Sequence, residues 1–103
     1  MKSNEITHND LIEFIKANKE YLCDKFHLAK IGVFGSFARK EQTANSDIDL
    51  IVELEENTQN IYDLKIELRN YFKAHLNRDI DIAREKYLKP GMKAEILRDV
   101  EYV

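Results

Sequence analysis

The sequence predicts an α+β fold in a single domain over residues 1–103: a small mixed β-sheet with helices packed on it. Two observations lead there. Stretches with a helical apolar period alternate with three short β-rich runs, and turn-forming residues bracket each run. In addition, 103 residues with no repeat, low-complexity tract or linker fit one core rather than two. A composition of 44% hydrophobic and 34% charged residues is that of a chain that folds.

Thr7-His8-Asn9-Asp10 reads as a helix start, with Thr7 as N-cap and Asp10 three residues on. Leu11, Ile15, Leu22 and Phe26 then share one face, with Ile12 and Phe14 beside them, so a helix runs to about Phe26. Leu28 to Phe34 is short, apolar and β-rich, and predicts a buried strand that ends at Gly35-Ser36. Phe37 to Lys40 predicts a short helical turn, followed by a polar loop through Ser46.

The second strand is predicted from Asp47 to about Leu54. Ile48, Leu50, Val52 and Leu54 point one way, and Asp47, Asp49, Ile51 and Glu53 the other. After a loop at Asn57–Asn60, Ile61, Leu64, Leu68, Tyr71, Phe72 and Leu76 carry a second long helix. Arg78 to Ala83 alternates again, with Ile80 and Ile82 opposing Asp79, Asp81 and Ala83. Pro90-Gly91 breaks the chain, and Met92 to Val103 predicts a closing helix through Ile96, Leu97 and Val100.

Charge narrows the function classes. The net charge is −3, whereas a general nucleic-acid binder carries a basic excess for phosphate neutralisation, so direct nucleic-acid binding is disfavoured. A small polyphosphate held through a metal stays open. One cysteine, Cys23, permits no internal disulfide. Met1–Glu5 lacks the apolar stretch of a signal peptide, and no run of 18 apolar residues exists, so the expectation is a cytoplasmic protein that spans no membrane. His8, His27 and His75 are scattered without ligand spacing and read as surface or helix-end residues. Tyr62, Tyr71 and Phe72 read as core or interface.

The chemistry concentrates at Asp47-Ile48-Asp49. Carboxylates at i and i+2 on a strand share a face, with Cα atoms about 6–7 Å apart. Such a pair suits hard divalent cations like Mg²⁺, which prefer oxygen ligands and leave positions for substrate phosphates. Two ions about 3.5–4 Å apart would need a third carboxylate from elsewhere. Like charges held this close repel unless a cation intervenes. Before them stands Gly35-Ser36, where absent side-chain bulk lets backbone amides approach a phosphate and Ser36 adds a hydroxyl. Taken singly, a D-x-D pair is usually a solvated strand edge and Gly-Ser a plain turn; the join, with ten residues between Ser36 and Asp47, carries more.

At that join the chain resembles the DNA polymerase β-like nucleotidyltransferase superfamily, and in particular its minimal nucleotidyltransferases. The resemblance rests on Gly35-Ser36-Phe37-Ala38-Arg39 and Ser46-Asp47-Ile48-Asp49-Leu50-Ile51-Val52, with Tyr87–Pro90 and Ile96–Val103 similar to the family's C-terminal end. Lys40 departs from it, standing where the family usually has Gly. The resemblance implies a polymerase β palm-like fold. It implies Asp47, Asp49 and Asp81 as catalytic residues and ligands of two Mg²⁺ ions, with Asp81, in Ile80-Asp81-Ile82, also orienting or deprotonating the acceptor. Asp79 is the competitor for that place. Gly35, Ser36 and Arg39 would bind the nucleotide, with ATP as substrate.

The resemblance further implies an antitoxin that transfers AMP from ATP to a tyrosine hydroxyl of a HEPN-domain toxin, in a hetero-oligomer with it. Two alternatives stand beside this: nucleotidyl transfer to a small molecule, and a non-catalytic antitoxin or scaffold that acts by binding alone.

Overall fold

The computed structural model of the chain describes residues 6–103, so the signal-peptide reading of Met1–Glu5 lies outside the described residues. Helix α1 spans His8–Phe26 and opens on the expected capping box: the Thr7 hydroxyl accepts from the Asp10 amide at 3.0 Å, and the Asp10 carboxylate accepts from the Thr7 amide at 3.0 Å. His27, in the left-handed region at φ 57°, ends the helix and turns the chain into β1, Leu28–Phe34. Next come α2 (Gly35–Ala38), β2 (Ile48–Leu54), α3 (Ile61–Leu76) and β3 (Ile80–Arg84). A 3₁₀ turn at Glu85–Tyr87, α4 (Pro90–Asp99) and β4 (Glu101–Tyr102) complete the order.

The sheet has four strands in the order β3-β2-β1-β4. β1 pairs antiparallel with both β2 and β4, while β2 and β3 are parallel, joined through α3 as a parallel crossover requires. The sheet is therefore mixed, as predicted. One face carries Ile31 and Val33 of β1, Ile48, Leu50 and Val52 of β2, and Ile80 and Ile82 of β3. Leu11, Ile15, Leu22 and Phe26 of α1 and Leu68 and Phe72 of α3 join them in one buried cluster. The period-2 and period-3.6 apolar patterns thus meet across a single interface.

Four expectations are corrected. The short helix begins at Gly35 rather than Phe37, because Gly35 takes φ +74° and starts the turn itself. β2 begins at Ile48, leaving Asp47 one residue ahead of the strand. β3 runs over Ile80–Arg84, not from Arg78, whose side chain is buried in the preceding loop region at 7% exposure. The closing helix starts at Pro90, which occupies the first helical turn where its missing N–H costs nothing, and it stops at Asp99. Val100 is extended at φ −65°, ψ 140°, and Glu101–Tyr102 pair with β1 as a fourth strand.

This C-terminal strand has a further consequence. Ile51, on the sheet face shared with Asp49, is fully buried rather than open to solvent. The second face is covered as far as Ile51, with Tyr102 and Val100 so close to Gly32 that a Cβ there would meet them at 2.9 and 3.1 Å. The Tyr102 hydroxyl donates to Glu85 at 2.6 Å, and Lys30 lies 4.9 Å from the Tyr102 ring centre and 3.4 Å from Glu85. Burial and the Glu85 carboxylate push the Tyr102 hydroxyl up to about 12. Among the described residues, no helix is long and apolar enough to cross a membrane. Cys23 is a free, part-buried thiol.

Candidate functional site

The pairing register builds the site. In the parallel β2–β3 ladder Asp49 is the partner of Asp81, and in the antiparallel β1–β2 ladder it is the partner of Phe34, the residue before Gly35. Residues opposite one another in register share a face, so Asp49 and Asp81 stand side by side, about 4.8 Å apart in backbone terms. The apolar residues flanking each of them, Ile48 and Leu50 or Ile80 and Ile82, lock both strands to the core face and so fix both carboxylates to the other.

Asp49 also reaches back to the Gly-Ser turn. A Cβ on Gly35 would lie 2.2 Å from the Asp49 Oδ2 and 3.0 Å from its Cγ. Only a residue without a side chain fits, and the positive φ of 74° asks for glycine independently. The turn is anchored from below by Phe37, fully buried in the core. Sequence spacing alone had joined Gly35 to Asp49; the fold puts them in contact.

Electrostatics mark Asp49. Burial first, then Asp81, then Asp47 push its carboxyl from the ordinary 3.8 to about 6, against a smaller opposing pull from Arg39. Asp49 is half-buried, while Asp47 and Asp81 are exposed. Among the described residues, no hydrogen bond or ion pair reaches any of the three carboxylates, so only the more distant pull of Arg39 offsets their mutual repulsion. That donor set, all hard oxygen and short of positive charge, suits a divalent cation in its chemistry. The fit is not that of a finished cage: among the described residues, no three His, Cys, Asp or Glu side chains are grouped closely enough to hold an ion.

Asp79, the competing acid, precedes β3 and pairs with Lys73 at 3.3 Å, while its carbonyl accepts from the Ile48 amide at 2.9 Å. Ser36 lies in the first turn of α2, part-buried, and its carbonyl accepts from the Glu41 amide at 2.9 Å. Arg39 is exposed and engaged by carboxylates, with Glu41 at 3.0 Å and Asp99 at 3.5 Å. It borders a cleft of about 270 Å³ that also touches Gly35 and Arg98. Lys40, standing where glycine was expected, takes the left-handed conformation at φ 60°, so the turn keeps its shape in spite of the substitution.

Arg78 is the residue that sequence reasoning missed. Its guanidinium donates to the Thr43 carbonyl at 3.2 Å and the Ser46 carbonyl at 2.8 Å, and it stacks 5.6 Å from the Phe37 ring. One buried cation thus ties the loop before Asp47 to α2, the helix that contains Ser36 and Phe37. No local pattern flags such a role, because its acceptors are backbone carbonyls more than thirty residues away.

Comparison with known proteins bears on this geometry. The family described as nucleotidyltransferase domain matches residues 15–103. The protein adenylyltransferase MntA of Thermococcus cleftensis is 35% identical over 98 residues, covering 95% of this chain and 97% of that protein. A solved minimal nucleotidyltransferase superposes with a TM-score of 0.79 at 27% identity, covering 96% of this chain and 98% of that one. A Shewanella oneidensis complex of an MNT antitoxin with its tri-AMPylated HEPN toxin shares the fold at a TM-score of 0.60 and 18% identity, over 87% of this chain and 69% of that one.

Proposed function

This chain belongs to the nucleotidyltransferase-domain family, as a minimal nucleotidyltransferase, and from that premise we propose that it transfers AMP from ATP to a tyrosine hydroxyl of a HEPN-domain toxin, acting as its antitoxin. The observation that carries the reading is the register of Asp49 with Asp81 beside the Gly35 turn. The Thermococcus relative is named for protein adenylylation, and the Shewanella complex holds an AMPylated HEPN partner; both support the acceptor class. A cytoplasmic setting fits this role.

In this reading Asp47, Asp49 and Asp81 would hold Mg²⁺, which would supply charge neutralisation to the triphosphate. Gly35 leaves room for the Asp49 carboxylate and presents its backbone to the triphosphate, which Ser36 and Arg39 contact, Arg39 after release from Glu41 and Asp99. Asp81 accepts the proton of the acceptor hydroxyl as its oxygen attacks the α-phosphate. The bond from that phosphorus to the bridging oxygen breaks, pyrophosphate leaves, and AMP remains on the acceptor. Asp49, flanked by both other acids, sets their spacing.

Incubation with α-labelled ATP, Mg²⁺ and a HEPN-domain protein encoded beside the gene tests this. Label is expected on the HEPN protein, and the Asp47→Asn/Asp49→Asn double variant should transfer none. Absence of label with wild type, in a complex shown to form, would remove the reading. A second reading is neutralisation by binding alone. The same double variant separates the two: neutralisation survives the substitution only if chemistry is not required.

A further inference from the structure

Along α3, Lys65, Arg69 and Lys73 recur every four residues and form one stripe on the helix surface. Like charges at that spacing repel and destabilise a helix, so the stripe works against the element that bears it. It also stands out in a chain whose net charge is −3. Lys73 is tied to Asp79 at 3.3 Å, but among the described residues neither Lys65 nor Arg69 enters an ion pair.

Between this face and β3 lies a cavity of about 260 Å³, lined by Tyr62, Lys65, Ile66, Arg69, Asp81 and Ile82. Its floor is the terminal strand of the sheet, paired among the described residues only with β2, so the outer edge presents backbone donors and acceptors. Tyr62 stands 77% exposed at its rim, a large aromatic surface that the core does not use. Two cations, an exposed ring and a strand edge therefore surround the carboxylate to which the reading above assigns the acceptor proton.

We infer that this groove is the acceptor-docking surface, and that it selects a polypeptide segment carrying acidic side chains next to the acceptor hydroxyl. The inference rests on the proposed transfer for the word acceptor, but not for the binding itself. Lys65 and Arg69 take the flanking carboxylates, Tyr62 and Ile66 meet the acceptor ring, and the neutral hydroxyl is left to approach Asp81. A nucleic acid suits the groove less well. Its backbone carries a charge at every nucleotide and would meet Asp81, Asp49 and Asp47 as well as the cations.

Fluorescent tyrosine peptides flanked by Glu, Gln or Lys, titrated with the full chain at about 50 mM salt without ATP, test this by anisotropy. The Glu-flanked peptide should bind about tenfold tighter than the Lys-flanked one, as expected for two exposed charge pairs. The Lys65→Glu/Arg69→Glu variant, shown to be folded by circular dichroism, should invert the order and gain affinity for the Lys-flanked peptide. Equal affinities, a preference that the variant leaves unmoved, or displacement of the peptide by an equimolar single-stranded oligonucleotide would each overturn it. Because the titration needs no turnover, the two readings fail separately. Charge preference without AMP transfer to any protein removes the activity alone, and AMP transfer without charge preference removes the groove alone.

Discussion

Replacing Asp49 by Asn should stabilise the protein in the absence of divalent cations while abolishing its chemistry. The Asp49 carboxyl is pushed from 3.8 to about 6, so between those values the folded state binds more protons than the unfolded one. Stability from this group is complete below about pH 4 and is lost as the pH rises through about 6. At about 1.4 kcal/mol per tenfold change in proton affinity, the full displacement is worth about 3 kcal/mol. Solvent screening at a half-exposed carboxylate reduces this to about 1–2 kcal/mol. Asn keeps the shape that sits against Gly35 and gives up only the charge, and among the described residues no hydrogen bond to the carboxylate is lost. Urea denaturation in EDTA at pH 4, 6 and 8 measures the difference. The Asn variant should match wild type at pH 4 and exceed it by about 1–2 kcal/mol at pH 8, a Tm gain of about 4–10 °C. Adding Mg²⁺ should raise wild type and leave the variant nearly unchanged. A variant no more stable at pH 8 than wild type, or a difference that ignores pH, would refute the argument that burial and two neighbouring acids make Asp49 costly to ionise.

Gly35→Ala forces a side chain into the left-handed region and onto the Asp49 carboxylate, so a stability loss of about 2–4 kcal/mol is expected by urea denaturation, together with loss of AMP transfer. Lys40→Gly should do the opposite, gaining about 0.5–1 kcal/mol by relieving the positive φ; a fall in ATP affinity alongside that gain would assign the Lys40 amine a phosphate contact. Arg78→Ala removes a buried charged donor from the Thr43 and Ser46 carbonyls, with an expected cost of about 2–4 kcal/mol. Hydrogen exchange should then quicken between Thr43 and Ile48 before it does in α1, and uniform exchange across the chain would contradict a local role.

Where sequence and structure agree, the deciding contacts are local or periodic. The Thr7–Asp10 capping box is closed within one helical turn, and the Ile48-Leu50-Val52 alternation needs only one buried face. The placement of Asp81 beside Asp49 was legible for the same reason: Ile80 and Ile82 pin Asp81 to the face of Asp49, whereas Asp79 lies ahead of the strand. The misses are tertiary. Glu101–Tyr102 is too short for a period to register, and Arg78 reads as an ordinary solvated arginine until the loop carbonyls close around it. One signal was available, though. Ile51 is an apolar residue among Asp47, Asp49 and Glu53, and an isoleucine on a face otherwise acidic calls for a covering element.

That cover links the C-terminal segment to the chemistry. A sheet with one open face would leave Asp49 fully solvated, with a carboxyl near its ordinary value and neighbours screened by water. Here Glu101–Tyr102 extend the sheet beyond β1, Val100 and Tyr102 close over Gly32, and Ile51 beside Asp49 is sealed. Cover stops short of Asp47 and Asp81, which remain exposed. The boundary between dry and wet sheet therefore runs through Asp49, and burial is the largest cause of its raised pKa. A carboxylate so placed is costly to ionise alone and gains most from a cation, while the exposed pair beside it keeps the approach open to solvent.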